Sequence, residues 1–429
     1  MMDWRRLLSA RRLVDVAPEP YDVARSPFQK DFDRIVFCSA FRRLQDKTQV
    51  HPLSDNDYVR TRLTHSLEVA SVGRSLGAGI GQVIAGRRRL PAELGAAEFG
   101  HIVSAACLAH DIGNPPFGHR GEELIQRWFR DAPRGKAMLH GLTRAQQQDL
   151  LQFEGNAQGF RILTRLQNWR DRGGLRLTAA TLATFSKYPR LVGGAPARDR
   201  HDAGAQKFGV MQAEADIFSD VARETGLQPD GDGRWLRHPL AFLVEAADDI
   251  CYTIIDLEDG FKLGKIPFDE AEALLLAVGG VRRRYQEIGE PARRIAYLRA
   301  KAIGELIGQV VEAFLQVEPQ MLDGRYRAPL LAQVPGSAAL AHITDVTARK
   351  VFVSDGDYER DLGADRVIQA LMDRTAMATD QGLTAYDRAL AVTDRVSGMT
   401  DSYAMQQFTG DGMARTRIGG ISGFSNGGY

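Results

Sequence analysis

The sequence predicts a mainly α-helical (all-α) protein with one minor β-hairpin and several long loops. Apolar residues recur at helical spacing in several long segments, whereas strand-like alternation of apolar and polar residues is scarce. The chain has no internal repeat, and it contains neither a dinucleotide-binding nor a Walker-type glycine motif. These three observations favour a helical fold over a nucleotide-binding α/β sheet.

The first third of the chain is predicted to hold three helices after a short start. Residues 1–25 read as an amphipathic start followed by an extended, proline-containing link. Helical spacing predicts a helix over 28–44 and a second over about 61–77, which we expect Gly77 to end. A third, alanine-rich helix over 96–111 runs into the loop GNPP, because two prolines cannot continue a helix.

The rest of the chain alternates helical patterns with polar segments. Residues 131–150 are polar and predict a peripheral insertion, and 193–206 lack apolar periodicity and predict a mobile loop. Residues 226–239 are compatible with a small hairpin, and the glycine- and serine-rich stretch 406–429 predicts a flexible tail. Further helical patterns cover 239–261, 269–315 and 364–396.

Composition and charge are those of an ordinary globular protein. The 429 residues are 44% hydrophobic and 25% charged, and a net charge of +1 gives no global bias towards nucleic acid or membrane. The arginine clusters at 87–89 and 282–284 are more often solvated helix faces than a rim that attracts phosphate.

The cysteines and the N-terminus indicate a reducing compartment. Cys38, Cys107 and Cys251 lie in apolar stretches without metal-ligand spacing, so we expect small buried hydrophobes and no cysteine zinc site. The N-terminus lacks the apolar run of a signal peptide, and no stretch is long and uncharged enough to span a bilayer. We therefore expect a cytoplasmic protein without a membrane partner.

Four residues form a candidate metal site. His110 and Asp111 end an apolar helix, where both side chains can bend towards one ion. An imidazole and a carboxylate together suit a divalent cation, but two ligands are too few. His65 lies on an upstream helix face and Asp248 in a downstream apolar helix, which makes them the best further candidates.

A single His or Asp in an apolar helix is more often a hydrogen-bonded polar group than a ligand, and the His-Asp dipeptide alone is a weak signal. A buried carboxylate nevertheless needs a partner. Asp248, Tyr252 and Asp256 follow one another at four-residue spacing, so they share one helix face amid mainly apolar neighbours. This register favours Asp248 as the ligand, with Asp249 as its competitor.

At this point the sequence resembles the HD-domain phosphohydrolases, and more closely the bacterial deoxyguanosine triphosphate triphosphohydrolase family. The family pattern H…HD…D is matched by His65, His110-Asp111 and Asp248. Six ordered blocks from about residue 25 to residue 405 carry the resemblance: FDRIVFCSAFRRLQDKTQV, RTRLTHSLEVA, AHDIGNPPFGHRGE, FEGNAQGFRIL, EAADDICYTIIDLED and SGMTDSYAM.

The resemblance implies a division of the chain. Residues 1–25 would be an N-terminal extension, 26–405 the HD-domain triphosphohydrolase and 406–429 the tail. Within the central part, the HD core would span about 60–260 and a C-terminal helical part 261–405.

The resemblance also implies hydrolysis of a deoxynucleoside triphosphate, dGTP or a broader set, to a deoxynucleoside and inorganic triphosphate. One divalent ion per site would activate water and polarise the α-phosphate, with Mg²⁺ or Mn²⁺ expected first and Fe²⁺ also accepted by two His and two Asp. In the HRGE stretch, His119 would protonate the departing 5′ oxygen, and Glu122 would orient its imidazole or share the proton transfer.

Eight further positions carry over as substrate contacts. Gln49 would read the sugar 3′ hydroxyl, Tyr252 would pack against C2′ of the deoxyribose, and Asp256 would accept a hydrogen bond from the sugar. The phosphate side would be met by charged and polar groups, although an ordinary surface role for the two lysines weighs nearly as much: Arg62, Asn156, Lys187, Tyr188 and Lys207.

Two other functions remain open on the sequence alone. A generic HD-domain phosphohydrolase would act on nucleoside monophosphates or cyclic nucleotides, and a nucleotide-sensing regulator would bind single-stranded DNA. The loop at 193–206 matches no family block, so base preference and any nucleotide effector stay undetermined. The resemblance favours a homo-oligomer, and a hexamer before other assemblies.

Overall fold

The computed structural model describes residues 1–13, 22, 25–47, 60–168, 173–193, 207–280, 285–352, 357–380 and 382–409. Its first nine helices are α1 (Trp4–Leu7), α2 (Pro27–Val36), α3 (Ser39–Arg43), α4 (Arg62–Arg87), α5 (Ala96–Ala109), α6 (Gly118–Asp131), α7 (Pro133–Met138), α8 (Arg144–Leu151) and α9 (Gly155–Arg161).

The second half of the chain is equally helical. It holds α10 (Ala179–Phe185), α11 (Ala215–Thr225), α12 (Pro239–Lys262), α13 (Phe268–Gly279), α14 (Pro291–Leu322), α15 (Ser337–Lys350), α16 (Asp357–Ala378), α17 (Ala385–Ser397) and α18 (Asp401–Thr409). Short 3₁₀ or π turns occupy Leu44–Asp46, Ala92–Leu94, Ile162–Leu166, Gln212–Glu214, Tyr285–Glu287 and Leu330–Gln333.

The predicted all-α fold is confirmed. Extended pairing within the described ranges is limited to four isolated bridges, of which the antiparallel bridge Pro229–Trp235 lies where the sequence allowed a hairpin. Three predicted features fall outside the described residues: the loop from 194 to 206, the arginine cluster at 282–284 and the tail from 410 onwards.

Capping side chains fix where several helices begin. Ser26 and Gln29 form a reciprocal capping box at the start of α2, with Pro27 at its first position. Thr61 accepts a hydrogen bond from the Thr64 backbone amide and so caps α4, which begins at the next residue, Arg62. The predicted starts of these helices are therefore set by local polar chemistry.

Gly77 does not end a helix, contrary to the prediction, because α4 continues to Arg87. A Cβ at Gly77 would lie 2.5 Å from the carbonyl oxygen of Phe99 in α5. The glycine thus permits two antiparallel helices to approach closely, and its role is in packing. The continuous helix expected over 28–44 is also broken, since Cys38 adopts an extended backbone and caps α3.

Two other long helical patterns each divide into two helices. The pattern at 269–315 becomes α13 and α14, and Pro291 stands in the first turn of α14. The pattern at 364–396 becomes α16 and α17, where Thr384 accepts from the Asp387 amide and caps the second helix. Apolar periodicity does not reveal such interruptions.

The buried apolar residues form two hydrophobic clusters. The larger cluster joins apolar residues of α2, α4, α5 and α10–α15, and it includes Trp4 and Leu7 of α1. The smaller cluster joins α6, α8, α16 and α17. All three cysteines are free and buried, as expected. No helix in the described part of the chain is long and apolar enough to cross a membrane.

Trp4 of the first helix is anchored far along the sequence. Its indole Nε1 donates to Glu318 at 2.8 Å, and Arg88 donates to the same carboxylate at 2.8 Å. The ring of Trp4 also contacts Phe99 of α5 and Phe314 of α14, so the N-terminal helix packs against these two helices. The division of the chain at residues 25 and 405 stays a prediction.

Candidate metal centre and active site

Three helices bring His65, His110, Asp111 and Asp248 together. Helices α4 and α5 run antiparallel, so the start of α4 lies beside the end of α5, and α12 packs against both. One donor atom from each of His65, His110 and Asp111 lies within 4.8 Å of the other two. Oδ1 of Asp248 lies 3.1 Å from Nε2 of His65 and 3.5 Å from Nε2 of His110.

His110 presents a nitrogen that fits a cation. Its Nδ1 lies 2.7 Å from the carbonyl oxygen of Cys107, which can only accept, so Nδ1 carries the proton. Nε2 then has a free lone pair, and it is buried with no hydrogen-bond partner among the described residues. A backbone-oriented imidazole with an unmatched inward nitrogen is the usual arrangement of a metal-binding histidine.

Burial also lowers the pKa of His110, which keeps the ring neutral and able to ligate. His65 behaves differently. Burial lowers its pKa as well, but the hydrogen bond and negative charge of Asp248 outweigh burial and leave the pKa raised.

Both candidate carboxylates are held ionised. Burial alone would raise the pKa of Asp111, but the positive charge of Arg62 outweighs it and holds that pKa well below its ordinary value. Nη1 of Arg62 donates to Oδ2 of Asp111 at 2.6 Å, and the side-chain Nδ2 of Asn114 donates to Oδ1 of Asp111 at 2.6 Å. Lys187 does the same for Asp248, because its Nζ lies 2.6 Å from Oδ2 and lowers the pKa against burial.

Asp248 and Asp249 occupy different surroundings. Asp248 contacts both histidines and Lys187. Asp249, the next residue along α12, is exposed. The structure therefore places Asp248 at the cluster.

His119 and Glu122 form a pair in the first turns of α6. Nδ1 of His119 donates to Oε2 of Glu122 at 2.8 Å, while Oε1 of Glu122 accepts from the amide of Gly155 at 2.7 Å. The hydrogen bond that His119 donates to Glu122 is the main cause of the raised pKa of His119. The His119 side chain is 74% exposed, so its Nε2 can reach a substrate.

A tight turn connects this pair to the cluster of His65, His110, Asp111 and Asp248. Phe117 has a φ of 64° and Gly118 a φ of 59°, both in the left-handed region. A Cβ at Gly118 would lie 2.7 Å from Nη2 of Arg62, so glycine lets the start of α6 approach that guanidinium without displacing it. The Pro-Pro turn predicted from the sequence thus sets His119 beside the Arg62–Asp111 pair.

The predicted phosphate-side residues lie around this centre, and most already have partners. Lys207 lies 3.6 Å from Oε1 of Glu154, and the Asn156 amide donates to the same oxygen at 2.7 Å. Tyr188 follows Lys187 directly, and burial raises its pKa. Glu154 was not singled out from the sequence, where it appears only as the first acid of the EGNAQ block.

The sugar-side residues extend along α12. Tyr252 is 37% exposed, and its ring stacks on Phe352 with centroids 5.7 Å apart. Asp256 is buried, its Oδ2 has no hydrogen-bond partner within the described ranges, and burial raises its pKa to about 7. By helical rise these residues lie about 6 Å and 12 Å beyond Asp248. Gln49 lies outside the described residues.

Lys47 is a buried residue of this region that sequence reasoning missed. Its Nζ donates to the carbonyl oxygens of Asn114 at 2.5 Å and Ser397 at 2.9 Å. Burial lowers its pKa to about 7. The lysine ties the turn after α5 to the end of α17, and its only sequence signal is its place in the block before Gln49.

The helical fold and the His/Asp cluster define an HD-domain hydrolase, and an HD-domain family model matches residues 62–152. A deoxyguanosinetriphosphate triphosphohydrolase-like protein of Synechocystis is 44% identical over 94% of this chain and 97% of its own length. A protein of the same description from Pseudomonas aeruginosa is 40% identical over the same shares. The deoxyguanosinetriphosphate triphosphohydrolase of Yersinia enterocolitica is 31% identical over 91% of this chain and 85% of its own. The chain belongs to the deoxyguanosinetriphosphate triphosphohydrolase-like family.

Proposed function

We propose that the protein hydrolyses deoxynucleoside triphosphates, dGTP or a broader set, to deoxynucleoside and inorganic triphosphate. The observation that carries the proposal is Nε2 of His110, which is buried and has no hydrogen-bond partner among the described residues. It lies beside two carboxylates that neighbouring cations keep ionised. The substrate class is supported by relatives that align over most of their length and are named deoxyguanosinetriphosphate triphosphohydrolase or triphosphohydrolase-like protein.

His65, His110, Asp111 and Asp248 would hold one divalent cation. Two imidazoles and two carboxylates accept Mg²⁺, Mn²⁺ or Fe²⁺, and we propose Mg²⁺ or Mn²⁺ as the first candidates. When bound, such an ion polarises a phosphoryl oxygen and lowers the pKa of water.

His119 is proposed as the general acid. Because its Nδ1–H is committed to Glu122, the proton given to the departing 5′ oxygen would come from Nε2. Glu122 raises the pKa of His119 and so keeps the ring protonated to higher pH. The Gly155 amide holds Glu122 in place, which makes the pair a fixed acid on the rim of the cluster.

The remaining predicted residues are proposed as substrate contacts. On the phosphate side these are Arg62, Asn156, Lys187, Tyr188 and Lys207. On the sugar side, Tyr252 would pack against C2′, the unmatched carboxylate of Asp256 (as seen among the described residues) would accept from a sugar hydroxyl, and Gln49 would read the 3′ hydroxyl.

A product-resolved assay tests the proposal. Each of the four dNTPs is incubated with purified protein and Mg²⁺, Mn²⁺ or Fe²⁺, with and without the other nucleotides, and the phosphate products are separated. Inorganic triphosphate from at least one dNTP is expected, and only orthophosphate or pyrophosphate from all of them would refute it. Deoxynucleoside monophosphates and cyclic nucleotides, run in parallel, test the generic phosphohydrolase.

Assembly and regulation need separate measurements. We propose a homo-oligomer, with a hexamer favoured, which light scattering tests by mass. A nucleotide effector would change the rate on a second dNTP in the same assay, and single-stranded DNA binding would give a gel shift that weakens with salt.

A further inference from the structure

The turn that precedes His119 is fastened to a helix far along the chain. The backbone amide of Phe117 donates to Oδ1 of Asp401 at 3.0 Å, and Asp401 is the first residue of α18. Asp401 is only 4% exposed. A hydrogen bond to an ionised carboxylate is stronger than one between neutral groups. A carboxylate 284 residues away therefore acts on the backbone just before the proposed general acid.

Phe117 adopts a backbone conformation that its own side chain disfavours. Its φ is 64° and its ψ 18°, in the left-handed region, where a residue with a Cβ is crowded. Its side chain also makes no capping hydrogen bond at the start of α6. Such a conformation persists where surrounding contacts enforce it. The carboxylate of Asp401 is a contact of this kind, because it accepts from the amide of the same residue.

The other end of the turn is held at the same place. Nζ of Lys47 donates to the carbonyl oxygen of Asn114 and to that of Ser397, the last residue of α17. Both ends of the turn at 114–117 are thus tied to the junction of α17 and α18, one through Lys47 and one directly through Asp401.

Helix α18 is itself anchored. It packs against α16, and Nη2 of Arg374 in α16 donates to the carbonyl oxygen of Gln407 at 2.7 Å. Ala404 of α18 is fully buried in the smaller hydrophobic cluster. A hydrogen-bond acceptor on a packed helix fixes its partner more precisely than one on a loop.

We propose that Asp401 is a positioning residue of the hydrolase: its carboxylate fixes the turn at Phe117 and so sets where His119 meets the departing 5′ oxygen. This role rests on the proposed function, in which His119 is the general acid. The Cα atoms of Phe117 and His119, two residues apart, are separated by about 6 Å. A rotation of about 10° at Phe117 would move His119 by about 1 Å, and a displacement of that size can cost about 100-fold in rate.

Asp401 also acts on Lys47 by charge, since its carboxylate opposes the lowering of the Lys47 pKa by burial. Two substitutions separate this charge from the geometry of the turn. Asp401→Asn removes the charge but keeps an oxygen that can accept from the Phe117 amide. Asp401→Glu keeps the charge but moves the carboxylate by one methylene. Positioning requires the asparagine variant to be the more active of the two, and a role through charge requires the reverse.

Steady-state kinetics of the metal-loaded full-length protein test the proposal on a dNTP that the wild type hydrolyses. Asp401→Ala and Asp401→Glu should lower kcat up to about 100-fold and leave KM within about twofold, because the substrate contacts remain. Asp401→Asn should keep kcat within about threefold of the wild type. Thr143→Ala is the matched control, since it removes a side-chain hydrogen bond to a backbone amide at the exposed start of α8 and should leave kcat unchanged.

Hydrogen exchange of the peptide 117–122, followed by mass spectrometry, reports on the turn without activity. Exchange should rise at least tenfold in Asp401→Ala and stay at the wild-type rate in Asp401→Asn and Thr143→Ala. If the wild type releases triphosphate from no dNTP, the proposed function fails, and exchange still decides whether Asp401 holds the turn. The role is overturned if Asp401→Ala matches the wild type in kcat or exchange, or if Asp401→Asn is no more active than Asp401→Glu. That last comparison decides if Asp401→Ala does not fold.

Discussion

Replacing Asp248 or Asp249 by alanine separates a metal ligand from its neighbour in the sequence. Asp248→Ala removes an oxygen that contacts His65 and His110, so metal affinity should fall at least about 100-fold, beyond the loss typical of an outer partner. It also leaves the buried ammonium of Lys187 without the carboxylate at 2.6 Å. Breaking a buried ion pair in this way costs about 3 kcal/mol of unfolding free energy.

Asp249→Ala is the matched control. Asp249 is exposed beside the negative charge of Asp248, so removing its carboxylate loses no buried contact and relieves a repulsion between adjacent charges. We expect normal metal content and equal or greater stability. Metal is measured by mass spectrometry after dialysis, and unfolding in urea with chelator present, so that bound ion does not contribute. Wild-type metal content in Asp248→Ala, or loss of metal in Asp249→Ala, would refute the ligand assignment.

Three further predictions concern proton transfer, burial and helix packing. Glu122→Gln should lower the pKa of His119 and move the alkaline limb of the kcat profile to lower pH; an unchanged limb contradicts the acid role. Burial raises the pKa of Asp256 to about 7, so ionisation of this carboxyl destabilises the fold as the pH rises from about 4 to 7. The unfolding free energy of Asp256→Asn should therefore exceed that of the wild type by up to about 4 kcal/mol above pH ~7 and by nothing below pH ~4, while activity is lost. Urea unfolding and dNTP assays at each pH measure the two effects. Gly77→Ala should lower the unfolding free energy by about 1–3 kcal/mol, because the new methyl group meets the α5 backbone. Gly86→Ala, whose methyl group would have nothing within 4 Å, should raise it by about 0.5–1 kcal/mol. Equal urea midpoints for the two variants would contradict the packing role of Gly77.

Local sequence patterns point to four residues that the structure brings close together, and their role as metal ligands stays a prediction. His110 and Asp111 end a strongly apolar helix, and the four-residue spacing from Asp248 to Asp256 gives one face of another helix. Both features depend on near neighbours, which helical periodicity describes well. The same local logic predicted the turn that places His119.

Features that depend on distant contacts could not be predicted in this way. The ammonium group of Lys47 can be buried because it donates hydrogen bonds to carbonyl oxygens 67 and 350 residues away along the chain. No pattern near Lys47 in the sequence contains that information. Gly77 reads locally as a helix stop, yet its role is decided by a helix that begins 19 residues later at Ala96.

The site also changes the meaning of two cations that the sequence predicts as phosphate ligands. Arg62 donates to Asp111 and Lys187 to Asp248, so each first serves to keep a carboxylate ionised within a buried cluster. Each guanidinium or ammonium has further N–H donors, because an Arg carries five and a Lys three. The same residue can therefore hold a carboxylate of the proposed metal site on one side and meet a phosphate oxygen on the other. A change of Arg62 or Lys187 to a neutral residue should consequently impair both metal affinity and substrate KM, whereas Lys207, which lies beside Glu154 and outside the metal cluster, should affect KM alone.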